Sequence, residues 1–227
     1  YLKNEIPDVI VNVVVASNLE RNLYLTTELI DMDYRMVIAL NMFDELEQSG
    51  GKIDYKHLGN MIGVPIVPTV SRSGKGVNQL FDTIIEVYEG RDESVRHVHV
   101  GLGKVIENSI TPLKDLLKKD PTCNREFSPR YLAIKILEGD TEVKRMLEGS
   151  ESYTELMNIR NAEVEKIETT LNEDIESAIA NEKYGFISGA LAETYRPGDK
   201  EEAKTTRIID SFVTNKLFGF PIFIFLM

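Results

Sequence analysis

VIVNVVV, residues 9–15, is an almost unbroken run of β-branched side chains. Such a run is too continuous for a surface helix and is typical of a strand buried inside a parallel sheet. Two further apolar runs follow it, RMVIAL at residues 35–40 and PIVPTV at residues 65–70. Pro68 lies near the end of the last run, where a sheet does not need its missing N–H donor. These three runs predict three strands.

Helical patterns alternate with the strands. Residues 20–33 and 54–62 lie between successive strands, and residues 77–88 follow the third strand. In this last segment apolar residues recur at i, i+3, i+4, i+7, i+8 and i+11, which is the pattern of an amphipathic helix. Strands that alternate with helices at this spacing predict a mostly parallel sheet with crossover helices. We therefore expect residues 1–90 to have an α/β fold.

The pattern changes in residues 91–199, where helical periodicity replaces the strand-like runs. A helix is predicted to begin near residue 131, and the apolar residues between 164 and 178 form a long helical stripe. Gly139 and Gly149 are predicted helix C-caps. This second region is expected to be an all-α helical bundle.

Composition excludes several classes of function. The 26 Lys and Arg residues are outnumbered by 37 Asp and Glu, which gives a net charge of −11 and argues against a nucleic-acid partner. Cys123 is the single cysteine, so neither a disulfide framework within the chain nor a multi-thiolate metal site is expected. His97 and His99 have no third ligand near them in sequence, and no metal site is predicted. No acidic pair has the context of a catalytic site.

A candidate base-recognition motif follows the second strand directly: Asn41-Met42-Phe43-Asp44. The carboxyl ends of parallel strands are where α/β sheets bind ligands. The carboxylate of Asp44 can accept hydrogen bonds from N1–H and N2–H of guanine, and the Asn41 amide can donate to the Hoogsteen edge and brace neighbouring loops. Adenine would leave the carboxylate unpaired. The alternative is an ordinary turn, because Asn and Asp often follow strands for local reasons.

A second motif strengthens the guanine interpretation. Ser71-Arg72-Ser73 opens the turn SRSGKG at residues 71–76, after the third strand. A small glycine-containing turn lets backbone N–H groups approach a ligand carbonyl, here the 6-oxo group of guanine. The chain contains neither G-x-x-x-x-G-K-[ST] nor D-x-x-G. The sequence thus predicts a guanine clamp without a phosphate cradle.

Residues 217–227, LFGFPIFIFLM, end the chain on an apolar run. A spanning helix needs about 20 such residues. The run is therefore either a tail that packs on the rest of the protein or the beginning of a membrane span. We favour the span, because a soluble protein gains little from ending in exposed Phe and Ile side chains. The chain also begins without Met, and we expect it to be truncated at both ends.

Several of these stretches together resemble the FeoB family of ferrous iron transport proteins. They are PDVIVNVVVASNLERNLYL at 7–25, ALNMFDEL at 39–46, GVPIVPTVSRSGKG at 63–76, RYLAIKILEGD at 130–140 and ANEKYGFI at 180–187. The terminal run resembles the start of the family's first membrane helix. One position departs from the pattern, because the family usually has Asp where this chain has Val15.

The resemblance implies a domain plan. Residues 1–90 would be the second half of a Ras-like GTPase domain, lacking its P-loop half. Residues 91–199 would be a helical regulatory domain that restrains GDP release, and residues 200–227 a juxtamembrane helix and the start of the first membrane helix. The intact protein would lie in the inner (plasma) membrane with this region on the cytoplasmic side.

The resemblance also implies ligands and partners. GTP or GDP would be bound through Asn41, Asp44 and the turn 71–73, with Mg²⁺ held by upstream residues. The partners would be the permease domain of the same polypeptide and Fe(II) as the transported substrate, and a homo-oligomer is compatible with this plan. This fragment alone is expected not to hydrolyse GTP, because phosphate positioning supplies nearly all of that catalysis.

Two alternatives remain at this point. A soluble GTPase of the ribosome-assembly type should have a basic accessory domain, whereas residues 91–199 have 15 basic and 21 acidic groups. A non-enzymatic helical interaction module predicts no nucleotide preference.

Overall fold

The computed structural model describes residues 7–120 and 127–198. Cys123 and the predicted membrane segment at 200–227 lie outside the described residues. The first half of the chain alternates strands and helices in the order β1 (Ile10–Val15), α1 (Leu19–Asp31), β2 (Met36–Asn41), α2 (Phe43–Gln48), β3 (Lys52–Ile53), α3 (Tyr55–Ile62), β4 (Ile66–Pro68) and α4 (Val77–Tyr88). All three predicted strands are present. The predicted third strand extends too far, because β4 ends at Pro68.

The main sheet is parallel and has the order β1-β2-β4 in the described part of the chain. Val15 pairs with Asn41, and Leu40 pairs with Pro68, so the strands end at one common edge. The missing N–H of Pro68 breaks no hydrogen bond between β2 and β4, because the Leu40 carbonyl accepts from the Thr69 N–H at 2.8 Å. This edge carries the loops that contain both predicted motifs.

Helices cover both faces of the sheet. Ile38 and Leu40 of β2 lie in the core formed with α1 and α3, while Val37 packs with Val87 of α4 on the opposite face. The expectation that the first strand is buried on both faces is wrong for β1. Val13 is 58% exposed, because α4 packs over β2 and β4 rather than over β1.

The second half contains α5 (Gly103–Lys119), α6 (Pro129–Glu138), α7 (Thr141–Leu147), α8 (Tyr153–Leu171), α9 (Ile175–Thr194) and the short strand β5 (Tyr195–Arg196). Helices α5, α6, α8 and α9 pack around one apolar cluster. The predicted stripe over residues 164–178 is divided between two helices, because Asn172 adopts a left-handed conformation with φ 55° and ends α8. Gly139 caps α6 as predicted. Gly149 does not cap α7, whose C-cap is the right-handed Glu148.

An unpredicted pair of strands connects the two halves. β5 follows α9 directly and pairs antiparallel with β3. Helix α9 therefore leaves the helical cluster and packs against α1 and α3. None of the described helices is both long and apolar enough to cross a lipid bilayer.

Candidate nucleotide-binding site

Two loops are tied together at the carboxyl edge of the sheet by the side chain of Asn41. Its Nδ2 donates to Ser71 Oγ at 3.1 Å, and its Oδ1 accepts from the Ser71 backbone N–H at 3.1 Å. Thr69 Oγ1 also donates to Asn41 Oδ1, at 3.4 Å. The carbonyl oxygen of this amide is thus used within the protein, and one of the two Nδ2 hydrogens remains for a ligand.

The backbone conformation of Met42 determines where Asp44 lies. Met42 has φ 57° and ψ 35°, a left-handed conformation that is uncommon for a residue with a side chain. This turn ends β2 and starts α2 within two residues, so Asp44 lies in the first turn of the helix. The N-terminus of a helix favours a negative charge. The site therefore presents this carboxyl group at the N-terminal end of α2.

The carboxylate of Asp44 has weak protein contacts. Its Oδ2 lies 3.7 Å from the guanidinium of Arg72, whose side chain is 88% exposed. An ion pair of this length and exposure contributes about 0–1 kcal/mol. The Asp44 side chain is 26% exposed. It is therefore accessible to a ligand that offers two N–H donors.

The turn after β4 is held by its own backbone. The Val70 N–H donates to the Lys75 carbonyl at 2.9 Å, and the Ser73 N–H donates to the Val70 carbonyl at 3.1 Å. Gly76 has φ 81°, and a Cβ there would lie 2.1 Å from the Pro68 carbonyl oxygen, so only glycine fits. The backbone N–H of Arg72 makes no hydrogen bond with the described residues. It is one of the backbone donors of this turn that remain for a ligand carbonyl.

The structure brings Asn41, Asp44, Ser71 and Arg72 together. The other three predicted residues have structural contacts: Met42 caps α2, Phe43 packs edge-on against Tyr55 with ring centroids 6.1 Å apart, and Ser73 Oγ donates to the Val70 carbonyl. Sequence reasoning missed Thr69, which is 4% exposed and bonds to the Asn41 amide. Thr69 could have been found as a polar residue that lies between the apolar strand and the turn beginning at Ser71.

Val15 also borders the site, because it pairs with Asn41 in the β1–β2 register. The residue that follows it, Ala16, donates its N–H to the Asn41 carbonyl at 2.9 Å. The departure from the FeoB pattern at Val15 therefore lies one strand away from the loop-bracing amide.

A separate pair of histidines lies away from this edge. His97 Nδ1 is 2.8 Å from Asp33 Oδ1, and its ring is 4.4 Å from that of His99. Within residues 7–120 and 127–198, no group of three His, Cys, Asp or Glu side chains is arranged to hold a metal ion.

Both halves of the chain match models of one protein family. Residues 1–84 match the model described as "Ferrous iron transport protein B", and residues 103–196 match "FeoB cytosolic helical domain". Together these ranges cover more than three quarters of the chain.

Curated relatives match over the whole chain. It is 41% identical to the Fe(2+) transport protein A/Fe(2+) transporter FeoB fusion protein of Porphyromonas gingivalis, over 100% of this chain and 27% of that protein. It is 30% identical to the Fe(2+) transporter FeoB of Staphylococcus aureus, over 100% of this chain and 33% of that protein. The chain thus spans about a third or less of the length of these relatives.

Solved structures match with similar strength. A GDP-bound variant of S. thermophilus NFeoB superposes with a TM-score of 0.75 at 32% identity, covering 86% of this chain and 72% of that chain. The mGMPPNP-bound NFeoB of S. thermophilus gives a TM-score of 0.72 at 32% identity, covering 89% and 72%. The cytosolic domain of the T. maritima FeoB iron transporter in its GMPPNP form gives 0.68 at 26% identity, covering 86% and 72%.

Proposed function

The chain belongs to the FeoB family, and on that premise we propose that it is the cytosolic guanine-nucleotide-binding regulatory part of a ferrous iron transporter. The observation that carries this proposal is the pair of loops joined by Asn41 and Ser71, beside the accessible carboxylate of Asp44. In the whole protein, GTP binding and hydrolysis would be coupled to Fe(II) uptake across the membrane.

Each polar group of the site has a role in this proposal. The Asp44 carboxylate accepts N1–H and N2–H of guanine, the Arg72 backbone N–H donates to the 6-oxo group, and the remaining Asn41 amide hydrogen faces the Hoogsteen edge. Adenine has an acceptor at N1 and no 2-amino group. It would therefore leave a partly buried carboxylate without donors, which costs binding free energy.

The proposed domain plan divides the chain into a partial GTPase domain at 1–90, a helical regulatory domain of the GDP-dissociation-inhibitor type at 91–199, and a membrane-proximal segment at 200–227. The GDP- and GMPPNP-bound relatives support nucleotide binding by the first domain. Mg²⁺ would accompany the nucleotide in the intact protein, held by the nucleotide's phosphates and by residues other than those of this site. We assign no hydrolytic step to this chain and propose that it is inactive as a GTPase alone.

Partners and location follow from the relatives' names. The Fe(2+) transporter relatives support a permease domain in the same polypeptide, Fe(II) as substrate, and a location on the cytoplasmic side of the cell membrane. A homo-oligomer is compatible with this arrangement. No observation favours the ribosome-assembly GTPase or the non-enzymatic module.

Fe(II) uptake by the whole natural protein tests the proposal, in cells that lack other ferrous iron importers. We expect Asp44→Ala to reduce uptake strongly, while Glu47→Ala, an exposed acidic residue on the same helix, leaves uptake unchanged. Normal uptake by the Asp44→Ala protein would contradict the coupling of guanine binding to transport.

A further inference from the structure

Helix α9 of the helical half lies along the sheet half over most of its length. The side chain of Lys183 contacts the carboxylates of Glu28 and Asp31 near the end of α1. One turn and a half later, Ser188 Oγ donates to Glu20 Oε1 at 2.8 Å, near the beginning of α1. Helices α1 and α9 are therefore antiparallel, and α9 runs toward the edge of the sheet where α1 begins.

The end of α9 reaches the segment that follows the base-reading helix α2. The Asp54 N–H donates to the Thr194 carbonyl at 2.8 Å. Beyond it, β5 pairs with β3, with Tyr195 opposite Ile53 and Arg196 opposite Lys52. We call residues 190–198 the strap, because they connect the helical half to the chain immediately after α2.

The strap also makes a close backbone approach to the end of α2. A Cβ added to Gly198 would lie 1.9 Å from the Ser49 carbonyl oxygen and 2.5 Å from the Gly51 nitrogen. Ser49 is the C-cap of α2, and the Gly51 N–H donates to the Leu46 carbonyl inside that helix at 3.0 Å. The strap therefore packs against the C-terminal end of the helix whose first turn contains Asp44.

Helix α2 depends on such contacts for its position. It has six residues, too few for a helix to be stable by its own hydrogen bonds. Its N-terminal end is fixed by the Phe43 N–H donating to the Thr69 carbonyl at 3.3 Å, and its C-terminal end is covered by the strap. Both ends of α2 are thus held by other parts of the molecule.

We infer that the strap is a positioning device for Asp44: by holding the end of α2, the helical half sets the place of the carboxylate that reads guanine. Gly198 is a positioning residue, because its lack of a side chain permits the contact. The inference rests on the proposed guanine recognition and assigns part of that recognition to residues of the helical half.

The affinity ratio between GDP and inosine diphosphate tests this inference in the whole natural protein. Hypoxanthine lacks the 2-amino group, so the ratio reports one hydrogen bond to Asp44, whereas a general loss of folding lowers both affinities equally. We expect Gly198→Ala to lower the ratio at least about fivefold, toward the value for Asp44→Ala. The control is Gly189→Ala on α9, where an added Cβ meets no atom within 4 Å. It should leave the ratio unchanged.

A ratio that Gly198→Ala leaves unchanged overturns the inference. Failure of the unmodified protein to prefer GDP over ADP would instead overturn the proposed function.

Discussion

Lys183 Nζ lies 2.5 Å from Glu28 Oε1, although 155 residues separate them, and the Lys183 side chain is wholly excluded from solvent. The other oxygen of the same carboxylate lies 2.7 Å from Lys135 Nζ on α6. One carboxylate of the sheet half therefore joins two helices of the helical half. This buried group of charges is one of the contacts that join the two halves.

We expect Lys183→Met to lower the free energy of unfolding by about 3–5 kcal/mol, because it removes the ion-pair partner of buried Asp31 and one of the two cations that contact Glu28. Chemical denaturation of the whole natural protein measures this change. Lys166→Met is the control, since Lys166 is 58% exposed and forms an ion pair with Glu163 on the surface of α8. Its cost should be below about 1 kcal/mol. Similar losses for both variants would contradict the importance assigned to Lys183.

Glu28 and Asp31 differ in how the fold affects their pKa values. Burial raises the pKa of Glu28, but the charges and hydrogen bonds of Lys183 and Lys135 outweigh it, and the net pKa is lowered. Burial dominates at Asp31 and raises its pKa despite Lys183, whose Nζ lies 3.0 Å from Oδ2 without a well-directed hydrogen bond. Ionised Glu28 therefore stabilises the fold, whereas ionised Asp31 opposes it.

The pH dependence of stability should show this difference. The contribution of Glu28 is present above the ordinary pKa of 4.5 and is lost as pH falls through its lowered folded value. Ionisation of Asp31 lowers the free energy of unfolding, and this loss develops as pH rises from the ordinary pKa of 3.8 through the raised pKa of the folded state. At pH 7 we therefore expect Glu28→Gln to destabilise the protein and Asp31→Asn to leave it equally or more stable. Urea titrations at pH 7 and pH 4 measure both, and the opposite order at pH 7 would contradict these directions.

The loop-bracing role of the Asn41 amide can be tested separately from the guanine recognition proposed for the Asp44 carboxylate. Asn41→Ala removes the bonds to both Ser71 and Thr69 and should weaken GDP and inosine diphosphate binding together, by about tenfold. Ser71→Ala should weaken binding of both nucleotides less than Asn41→Ala does, since the Ser71 backbone N–H still donates to Asn41. Equilibrium binding of the two nucleotides measures this. A selective loss of GDP affinity in Asn41→Ala would show that Asn41 has a different role.

Two glycines of the same turn offer a matched comparison. Gly74 and Gly76 both have left-handed backbones, with φ 75° and 81°, but a Cβ at Gly74 meets nothing within 4 Å. We expect Gly74→Ala to cost about 1–2 kcal/mol of stability from the backbone alone. Gly76→Ala should cost more, because its Cβ would clash with the Pro68 carbonyl. Thermal unfolding measures both, and equal costs would show that the turn can move away from Pro68.

Local sequence patterns predicted the parts of the fold that have long periodic segments. Helix α4 has its predicted bounds, and the two loops at the strand ends were found from residue type and order. Helix α2 was missed because six polar-rich residues contain too little periodicity to detect. Strands β3 and β5 were missed because each has two residues and pairs with a partner distant in sequence.

The burial of Lys183 could not be predicted from its neighbours in sequence. Within α9 it lies in the segment ANEKYGFI, where a lysine is normally solvated. Its environment is created by Glu28 and Asp31 on another helix. Charge pairs between distant segments leave no pattern in a single sequence.

The most direct measurement is a calorimetric titration of the whole natural protein with GDP and with ADP, before and after Asp44→Ala. Two hydrogen bonds to the Asp44 carboxyl group predict that GDP binds at least about 100-fold more tightly than ADP, and that Asp44→Ala abolishes most of this preference. Equal affinities for GDP and ADP in the unmodified protein would contradict guanine recognition by Asn41, Asp44 and the turn at Ser71.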